Sequence, residues 1–296
     1  MFISEPALDD LWCGLLTKRK RRKSFNTRRL KKFLAYAYLA FVLILVGFVV
    51  YGITAPRLTG LFKMFQGEHT ATVGRVTVED DGVVIVDQFY KDDPSFTEEM
   101  VKLIESLGYK VQVFKDDDVT VDFYKTLPKL GAGLYILRVH AGVLNTSMET
   151  YLFTSEKYNQ IDHWVEQLTG QVAKGFANPI SEEKPVFAVG PAFVEMSMEG
   201  DFRGATVILS SCLGLYDPRL AEAFVKKGVR VFISWDEKVS LGHTDKATLR
   251  LVELLLADRA TVEEAVSKVM EEVGVEPEYG AILRFYPEDR GDLRIV

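Results

Sequence analysis

Cysteine is scarce in this chain: 296 residues hold two, Cys13 and Cys212. They lie on either side of an uncharged run from Phe33 to Ile53, so insertion of that run into a bilayer would part them and exclude an intramolecular disulfide. Metal and nucleotide signatures are missing as well. There is no HExxH, no CxxC and no phosphate-cradling GxxxxGK, and Gly131-Ala132-Gly133 precedes a strand instead of following one, so neither metal nor cofactor is expected. The absence of a G-x-S-x-G elbow argues against a serine-hydrolase triad. Asparagine and glutamine together number ten, a shortage that resembles the depletion of thermolabile amides in heat-adapted proteins. No low-complexity tract or fixed-period repeat is present.

The charge is unevenly spread. Residues 1–32 carry ten Lys/Arg against three Asp/Glu, which leaves 26 basic and 39 acidic residues for the remainder of a chain whose net charge is −6. So acidic a domain would be repelled by phosphate backbones, and nucleic acid is excluded as a partner. The run FLAYAYLAFVLILVGFVVYGI, residues 33–53, is long enough at 1.5 Å per residue to cross a hydrocarbon core of about 30 Å. KRKRRKSFNTRRLKK stands directly before it and only Arg57 and Lys63 soon after, so the positive-inside rule keeps the N-terminus in the cytoplasm and sends the rest outward. The expected organisation is a basic cytoplasmic tail (1–32), one transmembrane helix (33–53), a juxtamembrane linker (54–72) and an extracytoplasmic α/β domain (73–296). The lipid membrane is thus an expected partner, and the sequon at Asn145 would be open to glycosylation.

Within the domain, strands and helices alternate. RVTVE and VVIVD flank the turn Asp80-Asp81-Gly82 as a hairpin. A helix follows with Ser95 and Glu98 as a capping box and apolar Met100, Leu103, Ile104 and Leu107, closed by Gly108. Then come the strand YKVQVF, a polar loop at Asp116 to Asp118, a short helix near Phe123 and the strand LYILRV, which ends at His140. The second half predicts a long helix with Ile161, Trp164, Val165, Leu168 and Val172 on one face, the strand PVFAVG and the strand ATVILSS, which stops at Cys212. A helix with Asp217 as N-cap and Pro218 at its first position follows, closed by Gly228, then the strand VRVFISW and helices near 245–257 and 262–273, the latter capped by Thr261 and Glu264. This order predicts a mainly parallel sheet covered by helices on both faces, with its site at the carboxyl ends of the strands.

His140 and Cys212 both end such strands. A thiolate is a useful nucleophile when a nearby imidazole lowers its pKa and later protonates the leaving amine, so the two form a candidate catalytic dyad. Gly142 gives the backbone room to approach, and its N–H with that of Cys212 would form the oxyanion hole. Against this, a single cysteine after an apolar strand is more often a small buried hydrophobe. His69, His163 and His243 read as structural. Asp87 and Asp245 are candidates for an acidic substrate pocket, although a solvated loop carboxylate is the commoner role for each.

Strand, His-x-Gly, strand, Cys, Pro-started helix and further strand together resemble the caspase-like (clan CD) cysteine peptidases. The resemblance is closest to CHAT domains, through LAEAFVKKGVRVFISW, the Asp245-Lys-Ala-Thr248 helix and TVEEAVSKVM, over roughly Val83 to Tyr286. It implies peptide-bond cleavage through a thioester, without metal or cofactor, by His140 and Cys212, with the Gly142 and Cys212 amides on the oxyanion. Ser210 stands where members that cut after basic residues have Asp. The expected function is therefore a membrane-anchored cysteine endopeptidase acting on polypeptides, any self-cleavage falling in the loop from Lys174 to Lys184. The alternative is a catalytically inactive caspase-fold ectodomain that serves as a binding or scaffold module. A sortase-like transpeptidase also places His before Cys but needs a β-barrel instead of this alternation. Oligomeric state stays open.

Overall fold

A computed structural model of the chain describes residues 2–4, 82–176 and 184–295. All of them fall in one compact unit, Met1–Ala7 with Val76–Val296. The runs 33–53 and 75–79, and most of the loop between Lys174 and Lys184, lie outside the described residues. No helix among the described residues is long and apolar enough to cross a membrane.

Six strands form the central sheet. β2 (Val83–Asp87) lies between β3 (Val111–Lys115) and β4 (Leu134–Arg138), and β4 is followed outward by β9 (Thr206–Leu209), β10 (Val231–Trp235) and β11 (Leu283–Tyr286). All neighbours are parallel except the last pair, β10 and β11. VVIVD, LYILR, TVIL and VFISW are buried throughout, as strands covered on both faces must be.

Alternation along these strands sends Val84, Val86, Tyr135, Leu137, Val207 and Leu209 to one face. There they meet α2 (Val121–Thr126), α4 (Pro191–Met196) and α5 (Arg219–Lys226). Ile85, Ile136, Ile208, Ile233 and Trp235 go to the other face, against α1 (Ser95–Ser106), α6 (Leu241–Leu256) and α7 (Val262–Glu272). A mainly parallel sheet with helices on both faces is thus the observed architecture.

The second sheet was not anticipated. β5 (Ala141–Leu144), β6 (Thr150–Lys157), β8 (Val186–Val189) and β7 (Val172–Gly175) run antiparallel in that order. The short β1 (Phe2–Ser4) closes them by pairing parallel with β5 and antiparallel with β7. PVFAVG therefore belongs to this sheet and not to the parallel one. The predicted long helix over 161–172 is instead the five-residue α3 (Trp164–Leu168), and Val172 opens β7. Its helical spacing is real, yet Ile161, Trp164 and Leu168 are exposed, because no neighbouring element covers that face among the described residues.

Local signals fare unevenly. α7 has its capping box, with Thr261 and Glu264 bonded reciprocally. The Ser95–Glu98 box does not form. Pro94 is the N-cap and Asp93 accepts from both the backbone and the hydroxyl of Ser95. α5 starts one residue later than expected: Pro218 is its N-cap, and Asp217 accepts the Arg219 N–H at 3.1 Å. Gly228 does end that helix, at φ +94°, a value that only glycine adopts without strain.

Candidate active site

β4 and β9 are parallel neighbours in the register Leu134↔Thr206 to Leu137↔Leu209, and the Ser210 N–H still donates to the Leu137 carbonyl at 2.9 Å. His140 stands two residues past the end of β4 and Cys212 three residues past the end of β9. Both lie past the last paired residues, where the chain leaves the sheet.

Neither side chain is bonded to the other. The His140 backbone N–H donates to Gln88 Oε1 at 2.9 Å, and its ring lies edge-on to Phe89, centroids 4.4 Å apart, with Phe153 at 6.2 Å. Burial pushes the imidazole down to about 4, against a small opposing pull from Asp92. The Cys212 thiol donates to the Val239 carbonyl at 3.4 Å and accepts from the Val239 N–H at 3.5 Å. Burial raises its pKa, with the Val239 N–H opposing. The hydroxyl of the adjoining Ser211 is buried and has no hydrogen-bond partner.

The backbone after the thiol is constrained. Leu213 has φ +59°, uncommon for a non-glycine residue, and is held there by its N–H on the Glu237 carbonyl at 3.0 Å and by the Thr150 hydroxyl on its own carbonyl at 2.7 Å. A Cβ at Gly214 would lie 2.1 Å from Ser234 Oγ. The turn Cys212-Leu213-Gly214 is thus packed against β10 with no room for a side chain at its third position.

Gly142 does not offer the donor expected of it. Bonded and non-bonded pairs alternate in an antiparallel ladder. The Phe153 N–H donates to the His140 carbonyl and the Leu144 N–H to the Glu149 carbonyl. Gly142, opposite Tyr151, is therefore also a bonded pair, and its N–H is turned into the sheet.

Asp87 and Asp245 are not pocket walls either, because both are spent on Arg138. The Arg138 side chain is wholly inaccessible. It grips Asp245 with two parallel bonds, Nε to Oδ1 at 2.9 Å and Nη2 to Oδ2 at 2.8 Å, and reaches Asp87 Oδ1 from Nη1 at 2.9 Å. Nη1 also meets the Asp93 carbonyl at 3.2 Å, and Nη2 the Asp93 carboxylate at 3.4 Å. Thr97 closes the cluster by donating to Asp87 Oδ2 at 2.6 Å. Sequence reasoning passed over this arginine. The signal was a single charge inside the apolar run LYILRV, which a buried strand tolerates only with partners at hand.

Two of the remaining histidines have local partners. His163 Nε2 meets Glu156 Oε1 at 2.8 Å, while His243 Nε2 meets the Gly274 carbonyl at 3.1 Å and its ring lies by Trp235. His69 lies outside the described residues. No group of three or more His, Cys, Asp or Glu able to hold a metal occurs among the described residues. Asn145 is exposed in the turn between β5 and β6.

No family model matches the chain, and no curated protein does. Among solved structures, the complex of the pro- and mature domains of RgpB from Porphyromonas gingivalis is similar over 67% of this chain and 45% of that one. The identity is 13% and the TM-score 0.39. The chain thus spans less than half the length of that neighbour.

Proposed function

We propose that this chain is a membrane-tethered cysteine peptidase of the caspase-like kind, with Cys212 as nucleophile and His140 as general base and acid. One observation above all supports the reading: His140 and Cys212 follow closely on the carboxyl ends of β4 and β9, which are parallel neighbours. The reading requires both side chains to turn away from their present partners, Val239 and Phe89. The thiolate would then attack a peptide carbonyl carbon, and the imidazolium would protonate the departing amine. Water, deprotonated by the same imidazole, would cleave the thioester and restore the thiol. The strained Leu213 beside the thiol fits a site whose geometry is held against local preference. With the Gly142 N–H in the ladder, the Cys212 amide is the donor that remains from the expected oxyanion hole.

The second reading is a caspase-fold module without activity, which binds a polypeptide or serves as a scaffold. It is favoured by the thiol's bonds to Val239 and by the imidazole's place between Phe89 and Phe153. Iodoacetamide separates the two readings. In full-length Cys13→Ser protein, where Cys212 is the one thiol, a dyad labels at pH 6 at least tenfold faster than free cysteine, and His140→Ala abolishes that excess. Slow, equal labelling in both proteins across pH 5 to 8 sinks the enzyme.

Anchoring through residues 33–53, with the basic segment on the cytoplasmic side, is part of the same proposal. It competes with β1. A chain that crosses a bilayer once between residues 4 and 82 carries residues 2–4 away from β5 and β7, so that topology and the pairing Ile3↔Leu144 exclude each other. Paired Cα atoms of neighbouring strands lie within disulfide range. With both native cysteines changed to serine, Ile3→Cys/Leu144→Cys should therefore stay reduced in sealed membranes if the anchor holds. Efficient cross-linking there would reject the expected orientation.

A further inference from the structure

We propose that Arg138 is the positioning residue of the candidate dyad, acting through the two carboxylates it binds; the inference rests on the dyad reading. Arg138 stands two residues before His140 on the same strand extension. Its first partner, Asp87, ends β2 and runs directly into Gln88 and Phe89. Gln88 holds the His140 backbone N–H at 2.9 Å and Phe89 holds its ring. The guanidinium also lies over the Phe89 ring, 5.4 Å from its centroid. Its second partner, Asp245, stands in the first turns of α6, whose N-cap Ser240 follows Val239, the residue bonded to the Cys212 thiol. One guanidinium is therefore the common partner of the shelf that seats the imidazole and of the turn that meets the thiol.

The chemistry needs arginine. Five N–H groups in a rigid fork bind Asp245 through two parallel bonds and Asp87 at the same time, which fixes the direction as well as the distance between β2 and α6. A lysine would keep the charge, but its three donors radiate from one atom and cannot hold both carboxylates in that plane. A buried ion cluster is a poor source of net stability compared with apolar packing. A geometric role accounts for an ion cluster buried at this edge of the sheet.

The test is Arg138→Lys in full-length Cys13→Ser protein, at a temperature where thermal unfolding shows it fully folded, with Asp245→Asn as the second variant should the lysine protein not fold. The readout is the iodoacetamide rate of Cys212 from pH 5 to 8, beside wild type and His140→Ala. A positioning role predicts that the pH 6 rate falls at least tenfold and that the profile takes the shape of His140→Ala. A lower melting temperature with an unchanged labelling profile would make Arg138 structural only and overturn the inference while the dyad stands. If wild type and His140→Ala already coincide, the dyad itself is absent and the inference falls with it.

Discussion

Two sets of polar groups occupy the same sheet edge and are treated in opposite ways. In the Arg138 cluster every guanidinium N–H has an acceptor, and Asp87 also takes the Phe89 N–H and the Thr97 hydroxyl. Two residues past the end of β4, the His140 ring has no hydrogen bond, and the Cys212 thiol has only two long ones to a backbone. Full satisfaction makes the first set architecture. The second set costs free energy in this arrangement, because a half-buried imidazole and thiol lose part of their hydration and gain little from their surroundings. Groups held that way are available to bind something else.

The largest effect should come from breaking the satisfied set. Arg138→Met leaves two carboxylates buried without their counter-charge, and urea unfolding should show a loss of about 3 to 5 kcal/mol. Adding Asp87→Asn and Asp245→Asn to the same protein should return part of that loss, since no buried charge is then left alone. A loss below about 1 kcal/mol for Arg138→Met would mean that water reaches the cluster, and the contrast between the two sets would disappear.

The two sets were not equally legible in the sequence. Unbroken apolar runs such as VVIVD, LYILRV and VRVFISW announce strands buried on both faces, so the parallel sheet could be read directly, although β4 and β9 end at Arg138 and Leu209, short of His140 and Cys212. The second sheet could not. TYLFTSEK mixes polar and apolar residues, and β5 is the four-residue AGVL, too short for periodicity to speak. Segment 161–168 misled for the opposite reason: its apolar residues have helical spacing, but that pattern normally implies a covering neighbour, and Ile161 and Leu168 are about four-fifths exposed. Asp87 and Asp245 were picked out for their acidity, but their partner lies 51 residues from one and 107 from the other. Pairing over such distances is set by the fold and cannot be counted along the chain.

A smaller and more specific effect should come from the unsatisfied set, read through pH. Burial takes the His140 imidazole from its ordinary 6.5 to about 4 in the folded protein. Between those values the unfolded chain binds the proton and the folded protein does not, so stability rises with pH through this window and is lost as pH falls from 6.5 toward 4. From pH 7 to pH 5 the loss is about 2 kcal/mol from this residue alone. Asp245 acts in the opposite sense: burial raises its pKa, so it favours the folded protein at low pH and gives that up as pH rises. The absolute profile therefore mixes signs, and the difference between wild type and His140→Gln isolates the imidazole. Denaturation at pH 5, 6 and 7 should show His140→Gln gaining on wild type as the pH falls. If the two proteins keep a constant difference, the ring is hydrated or already paired in solution, and the edge holds no unsatisfied histidine to set against the Arg138 cluster.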